Sequence, residues 1–141
     1  MDLHKFNSIS ENLKSHQRLI AVSKGHDLEK IIRLYDKGQR DFGENFLQEL
    51  KEKKDLLPCD IRWHFLGNIQ SNKIKDIVSC SDLIHSIGRN KILDKILKLE
   101  SNKKINILLQ LKLGEEETKS GFSEKEIYKI LSRNKSTNTI I

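Results

Sequence analysis

The sequence lacks the usual devices for crossing or leaving through a membrane and for holding a metal. No run of about 18 apolar residues, the length a membrane-crossing helix needs, occurs. The opening MDLHKFNSIS places Asp2, His4 and Lys5 where a secretory signal carries an apolar core. Both absences argue for a cytoplasmic protein with no membrane partner. Cys59 and Cys80 make no CxxC pair and have no histidine at ligand spacing, which fits reduced thiols and leaves no metal site. The seven glycines include no GxGxxG and no P-loop. No low-complexity linker breaks the chain, so residues 1–141 read as one domain.

Charge is plentiful but not organised. The formal net charge is +6, with 20 lysines against 6 arginines scattered among 20 acids. Segments such as LQELKEKKD mix both signs on one predicted helix, which reads as a solvated face rather than a phosphate-binding patch. No nucleic-acid partner is expected.

Short apolar runs alternate with stretches of helical spacing. The strand candidates are residues 19–23, 61–67, 82–87 and 105–113, of the buried parallel type, with QRDFGEN as one more short strand. Helical spacing covers residues 27–37, 45–54, 71–79, 89–100 and 123–133. In the first of these, Leu28, Ile31, Ile32 and Tyr35 share a face, with Asp27 as N-cap and Gly38 as the stop. Ser123 and Glu126 make a capping box. Five β-α units in succession predict an α/β fold, part of a (β/α)8 barrel, and the final TNTII looks like the start of a sixth strand.

In such folds the functional groups gather at the carboxyl ends of the strands. Polar clusters fall there at Ser23-Lys24, Gly43-Glu44-Asn45, His64 running to Gly67, His85-Ser86, and the KSGF of 119–122. A lysine projecting from a buried strand into a polar pocket is a candidate imine former, because partial desolvation favours a neutral amine. Each cluster also has a plain structural reading. Lys24 is by position an ordinary exposed lysine, Glu44 and Asn45 are turn or capping residues, Trp63, His64 and Phe65 are a packed strand, and SGF is a turn.

Taken together, AVSK, RDFGENFLQELKEK, WHFLGNIQSNKIKDIV, LIHSI and LLQLKLGEEETKSGF resemble, in order and spacing, the pyridoxal phosphate homeostasis proteins, also called the proline synthetase co-transcribed family. The resemblance covers residues 15–141. It implies a barrel of the alanine racemase N-terminal domain type, with pyridoxal 5′-phosphate (PLP) held as an imine on Lys24 and with Asn45, His64 and Ser86 lining the cofactor pocket. It further implies a carrier or reservoir of PLP without catalytic turnover, monomeric at full length, with PLP-dependent apoenzymes as receiving partners. Lys119 becomes a second lysine for loading or transfer.

Some positions depart from the family pattern. Leu66 stands where isoleucine is common. Gly88 replaces an aspartate, which implies a looser loop, and Lys112 replaces an asparagine. A C-terminal segment carrying the family's phosphate cup has no counterpart in this sequence, which implies an incomplete barrel. A fold-type III racemase or decarboxylase is an alternative, but it needs an acid/base group opposite the imine, and Tyr35 and Tyr128 both fall in predicted helices. A half-barrel interaction module without cofactor is a further alternative.

Overall fold

The computed structural model describes residues 3–101, 104–114, 120–133 and 139–141. Their elements run α1 (Leu3–Glu11), β1 (Ala21–Val22), α2 (Leu28–Tyr35), β2 (Asp41–Glu44), α3 (Leu47–Leu56), β3 (Arg62–Phe65), α4 (Ile74–Cys80), β4 (Leu83–Ile87), α5 (Asn90–Leu97), β5 (Ile105–Leu109), α6 (Glu124–Arg133) and β6 (Thr139–Ile140). The strands form one sheet in the order β1-β2-β3-β4-β5-β6, each pair parallel. Parallel neighbours in chain order need right-handed crossovers, so the connecting helices lie on one face of the sheet. The result is a partial (β/α)8 barrel.

Register sorts the side chains into two faces, since alternate residues of a strand point to opposite sides. Glu44, Phe65, Ile84 and Ile107 lie in one row across four strands and are all buried. Phe42 pairs with Trp63 in the same layer, their rings 6.2 Å apart. Against this layer pack Ile31 and Leu34 of α2, Leu50 of α3, Ile77 of α4 and Ile92 and Ile96 of α5. Burial of each such side chain contributes about 1.5–3 kcal/mol. The row Val22, Gly43, His64 and Leu83 lies on the other, inner face, where Val22 is 48% exposed.

The elements expected from the sequence are present, most of them shorter and α3 shifted two residues along the chain, and three details differ. Helix α1 has no counterpart in the sequence reading. The buried face of α2 centres on Ile31 and Leu34 while Leu28, the first residue of the helix, is exposed. Asp27 has the extended backbone of an N-cap but its side chain makes no cap bond. Gly38 does stop the helix. It takes φ +93°, and the bonds Gly38 N–H to Tyr35 O (2.8 Å) and Gln39 N–H to Leu34 O (3.1 Å) close a Schellman motif. The capping box also forms: the Ser123 N–H and hydroxyl both donate to Glu126 at 2.8 Å.

Candidate functional site

Lys24 follows β1 in the turn to α2, and its neighbours on both sides are tied down. The Ser23 N–H donates to Gly43 O at 2.9 Å, and the buried Ser23 hydroxyl donates to Glu44 Oε1 at 2.6 Å. Gly25 N–H donates to Glu49 Oε2 at 2.9 Å. The Lys24 side chain is exposed and its amine has no hydrogen-bond or ion-pair partner among the described residues.

Lys53, from α3, is the opposite case. Its side chain is 8% exposed, and Nζ donates to Ser23 O (2.7 Å), Glu44 Oε1 (2.7 Å) and Glu49 Oε2 (2.9 Å). All three donors of an ammonium are thereby used. Burial pulls the Lys53 amine down, but the bonds to Glu44 and Glu49 outweigh it, so it is held above its ordinary value. Lys53 is therefore a fixed cation. The sequence reading placed LQELKEKKD on a solvated face, and for Lys53 the structure corrects that: the helix turns this one lysine inward, where two carboxylates and a carbonyl replace water.

Three strand ends meet beside this turn. Gly67, just beyond β3, lies so close to Asn45 that a Cβ there would stand 1.8 Å from the Asn45 carbonyl oxygen. On its other side the Ser86 hydroxyl donates to the Gly67 carbonyl. Asn45, Gly67 and Ser86 thus form a continuous rim at the carboxyl end of β2, β3 and β4. Gly88 extends it. The loop expected to loosen there is instead tightly packed, for a Cβ on Gly88 would meet Gly121 N at 3.0 Å, and Gly121 N–H donates to Gly88 O at 3.2 Å. The SGF segment pairs back along residues 110–112 and buries Phe122. Lys119 lies outside the described residues.

His64 lies lower, within β3 on the inner face, and is 2% exposed. Both ring nitrogens are engaged, Nε2 with Asp41 Oδ1 at 2.9 Å and Nδ1 with His85 Nε2 at 2.9 Å. Because a carboxylate only accepts, Nε2 donates to Asp41, while the direction of the Nδ1–His85 Nε2 bond follows the protonation of the two rings and His85 Nδ1 keeps no partner in this chain of bonds. Burial pushes the Asp41 carboxyl up, but its bonds to Arg62 and His64 prevail and hold it below its ordinary value. Burial and the neighbouring His64 hold His85 below the usual imidazole value. A cleft of about 470 Å³ opens on this inner face between Arg18, Arg62, His64, Asn106, Leu108 and Ile140. Lys24, Asn45 and Ser86 do not line it.

The structure thus joins Asn45 to Ser86 through Gly67, sets Lys24 at the same end of the sheet, and engages His64 in a separate polar chain. Asp41 and Lys53 escaped the sequence reading. An aspartate at the start of the short strand DFGE is a usable signal for the first; a lysine inside KEKK offers none. Among the described residues no group of three or more His, Cys, Asp or Glu is placed to hold a metal ion, and no helix is long and apolar enough to cross a membrane.

Residues 3–140 match the family described as alanine racemase, N-terminal domain. Among curated proteins, the chain is 36% identical over 119 residues to the pyridoxal phosphate homeostasis protein of Schizosaccharomyces pombe, covering 79% of this chain and 49% of that protein. It is 39% identical over 127 residues to the protein of that name from Synechocystis, covering 86% and 58%. Among solved structures, PipY of Synechococcus elongatus PCC7942 with PLP bound superposes with a TM-score of 0.86 at 31% identity, covering 98% of this chain and 66% of PipY. The form without PLP gives 0.89. The chain spans about half the length of the curated relatives it matches.

Proposed function

The chain belongs to the alanine racemase N-terminal domain family, and from that premise we propose that it binds pyridoxal 5′-phosphate covalently through the Lys24 amine and acts in PLP homeostasis as a carrier and reservoir. One observation carries the assignment: the Lys24 amine is exposed and unpartnered at a strand end while the residues on either side of it are fixed. The cofactor supplies an electrophilic aldehyde. A lysine can meet it only through a free amine, which Lys53, with all its donors in use, does not offer. The names of the relatives and the PLP-bound PipY structure support the same cofactor.

Asn45 and Ser86 are the proposed pocket lining beside Lys24. The Asn45 carbonyl packs against Gly67 and leaves the amide for a ligand, while Ser86 holds the rim in shape through its bond to Gly67. His64, with both nitrogens taken, contributes by orienting His85, whose Nδ1 is the polar atom left open. A carrier needs a covalent bond that can exchange, whereas turnover of amino acids also needs a proton donor and acceptor on opposite faces of the reacting carbon. The two tyrosines do not supply one: Tyr35 donates its hydroxyl to Asp60 at 2.7 Å, and Tyr128 is 67% exposed on α6. We extend the proposal to PLP-dependent apoenzymes as the recipients.

The test is incubation with PLP, reduction with borohydride and peptide mapping, alongside the Lys24→Arg variant. Label concentrated on Lys24 and lost in K24R supports the reading. Label spread evenly over the 20 lysines, with K24R no different, ends it. A racemase or decarboxylase rate that depends on Lys24 would end the carrier half alone.

A further inference from the structure

We infer that Glu44, Lys53 and Glu49 form a clamp that sets the position of Lys24, and that Glu49 is its adjustable outer member; this rests on Lys24 being the PLP lysine. The clamp grips the main chain on both sides of that residue. On the amino side, Ser23 is held three ways, by its N–H on Gly43, its hydroxyl on Glu44 and its carbonyl on the Lys53 ammonium. On the carboxyl side, the Gly25 N–H is held by Glu49. Lys53 joins the two grips, since one ammonium bonds Ser23 O, Glu44 Oε1 and Glu49 Oε2.

Three elements meet in this one cluster. Glu44 ends β2, and Glu49 and Lys53 stand four residues apart on one face of α3, an arrangement that brings both over the β1 end. The side chains of Glu44 and Lys53 are 0% and 8% exposed, while Glu49 is 32% exposed. The inner pair is thus inaccessible and rigid. A buried pair of this kind adds little net stability compared with apolar residues of the same size, and its best-attested use is to specify one arrangement. Here the arrangement specified is the path of residues 23–25, the segment that aims Lys24. Glu49 stays charged in this role, because the Gly25 N–H and the Lys53 ammonium hold its carboxyl below the ordinary value.

Glu49 is the member to perturb, because its partial exposure lets it be removed without stranding a buried charge. In Glu49→Ala the Gly25 N–H loses its acceptor, while Lys53 keeps Ser23 and Glu44. Glu49→Gln keeps an oxygen that can accept from Gly25. Two readouts are taken on the protein chain, amide hydrogen exchange at Gly25 and the initial rate of borohydride-trapped PLP labelling at Lys24. A hydrogen bond to a charged group is strong enough that its loss changes a local equilibrium by about tenfold or more. E49A is expected to speed Gly25 exchange and slow Lys24 labelling by about that factor, with the thermal midpoint lowered by only a few degrees and with E49Q recovering most of both. Equal labelling rates at Lys24 in wild type and E49A overturn the clamp. If E49A speeds Gly25 exchange but wild-type Lys24 takes no label, the PLP assignment itself falls and takes the inference with it. Slow labelling in both E49A and E49Q, with unaltered Gly25 exchange, also overturns it, because the effect would then come from charge and not from position.

Discussion

Replacing Gly67 by alanine tests whether the rim is held by backbone contact. The added Cβ would stand 1.8 Å from Asn45 O, 2.7 Å from Asn45 C and 3.0 Å from Asn45 Cα, whereas ordinary contact begins at 3.4 Å. All three are main-chain atoms, so no rotamer relieves the clash. The ends of β2 and β3 must part, which breaks the Leu66 N–H bond to Glu44 O (2.8 Å) and the Ser86 bond to Gly67. Two lost bonds at about 1 kcal/mol each, with at least one buried group left unsatisfied, come to roughly 3–4 kcal/mol. For a chain of this size that lowers Tm by about 10 °C. Gly38→Ala is the control, since Gly38 has φ +93° but no atom within 4 Å of its missing Cβ. It should cost only about 1 kcal/mol, from backbone strain alone. Urea denaturation of both variants gives the comparison, and G67A should also lower PLP labelling at Lys24 by disturbing Asn45 and Ser86. A G67A protein within about 1 kcal/mol of wild type, or less affected than G38A, would refute the argument.

Ser86→Ala removes the hydroxyl that holds the Gly67 carbonyl and should lower stability by about 1 kcal/mol in urea; no measurable loss would show that water replaces it. Lys53→Met leaves the Glu44 carboxylate buried without its cation, and at neutral pH the loss should be about 3–5 kcal/mol. Burial already pushes Glu44 up against the pull of Lys53 and Ser23, so in K53M it can escape by taking a proton. The deficit should therefore shrink as pH falls, and a deficit that ignores pH counts against the buried-charge account. His85 is held below the ordinary imidazole value of 6.5. The unfolded chain then binds the extra proton, so wild-type stability should fall as pH drops through that value. His85→Gln should flatten this part of the profile in denaturation curves collected from about pH 7.5 to 5.5, and an unchanged slope would assign the effect elsewhere.

Much of the architecture is carried by local pattern. LIAVS and LIHSI are largely apolar runs bounded by polar turns, DFGE and RWHF are short mixed runs, and the intervening helices show their periodicity in seven to ten residues. Parallel order follows, because a chain alternating strand and helix has few other ways to cover its apolar faces. The same pattern puts Lys24, Asn45 and Ser86 at strand ends without any coordinates, and the order of the motifs points to the family.

What the pattern leaves open are properties a residue acquires from distant partners. Lys53 looks like its neighbours in KEKK, and only the approach of Glu44 and Ser23 from two strands makes its burial tolerable. WHF does not show what His64 meets: Asp41 and His85 come from neighbouring strands to engage its two nitrogens. Gly67 is a glycine because Asn45, twenty-two residues earlier in the chain, presses its carbonyl on that spot, and Gly88 is tight because Gly121 returns beside it. Burial, charge pairing and close approach depend on which chain segments meet. Periodicity records which way a residue faces within its own element, and the tertiary structure alone decides what it meets there.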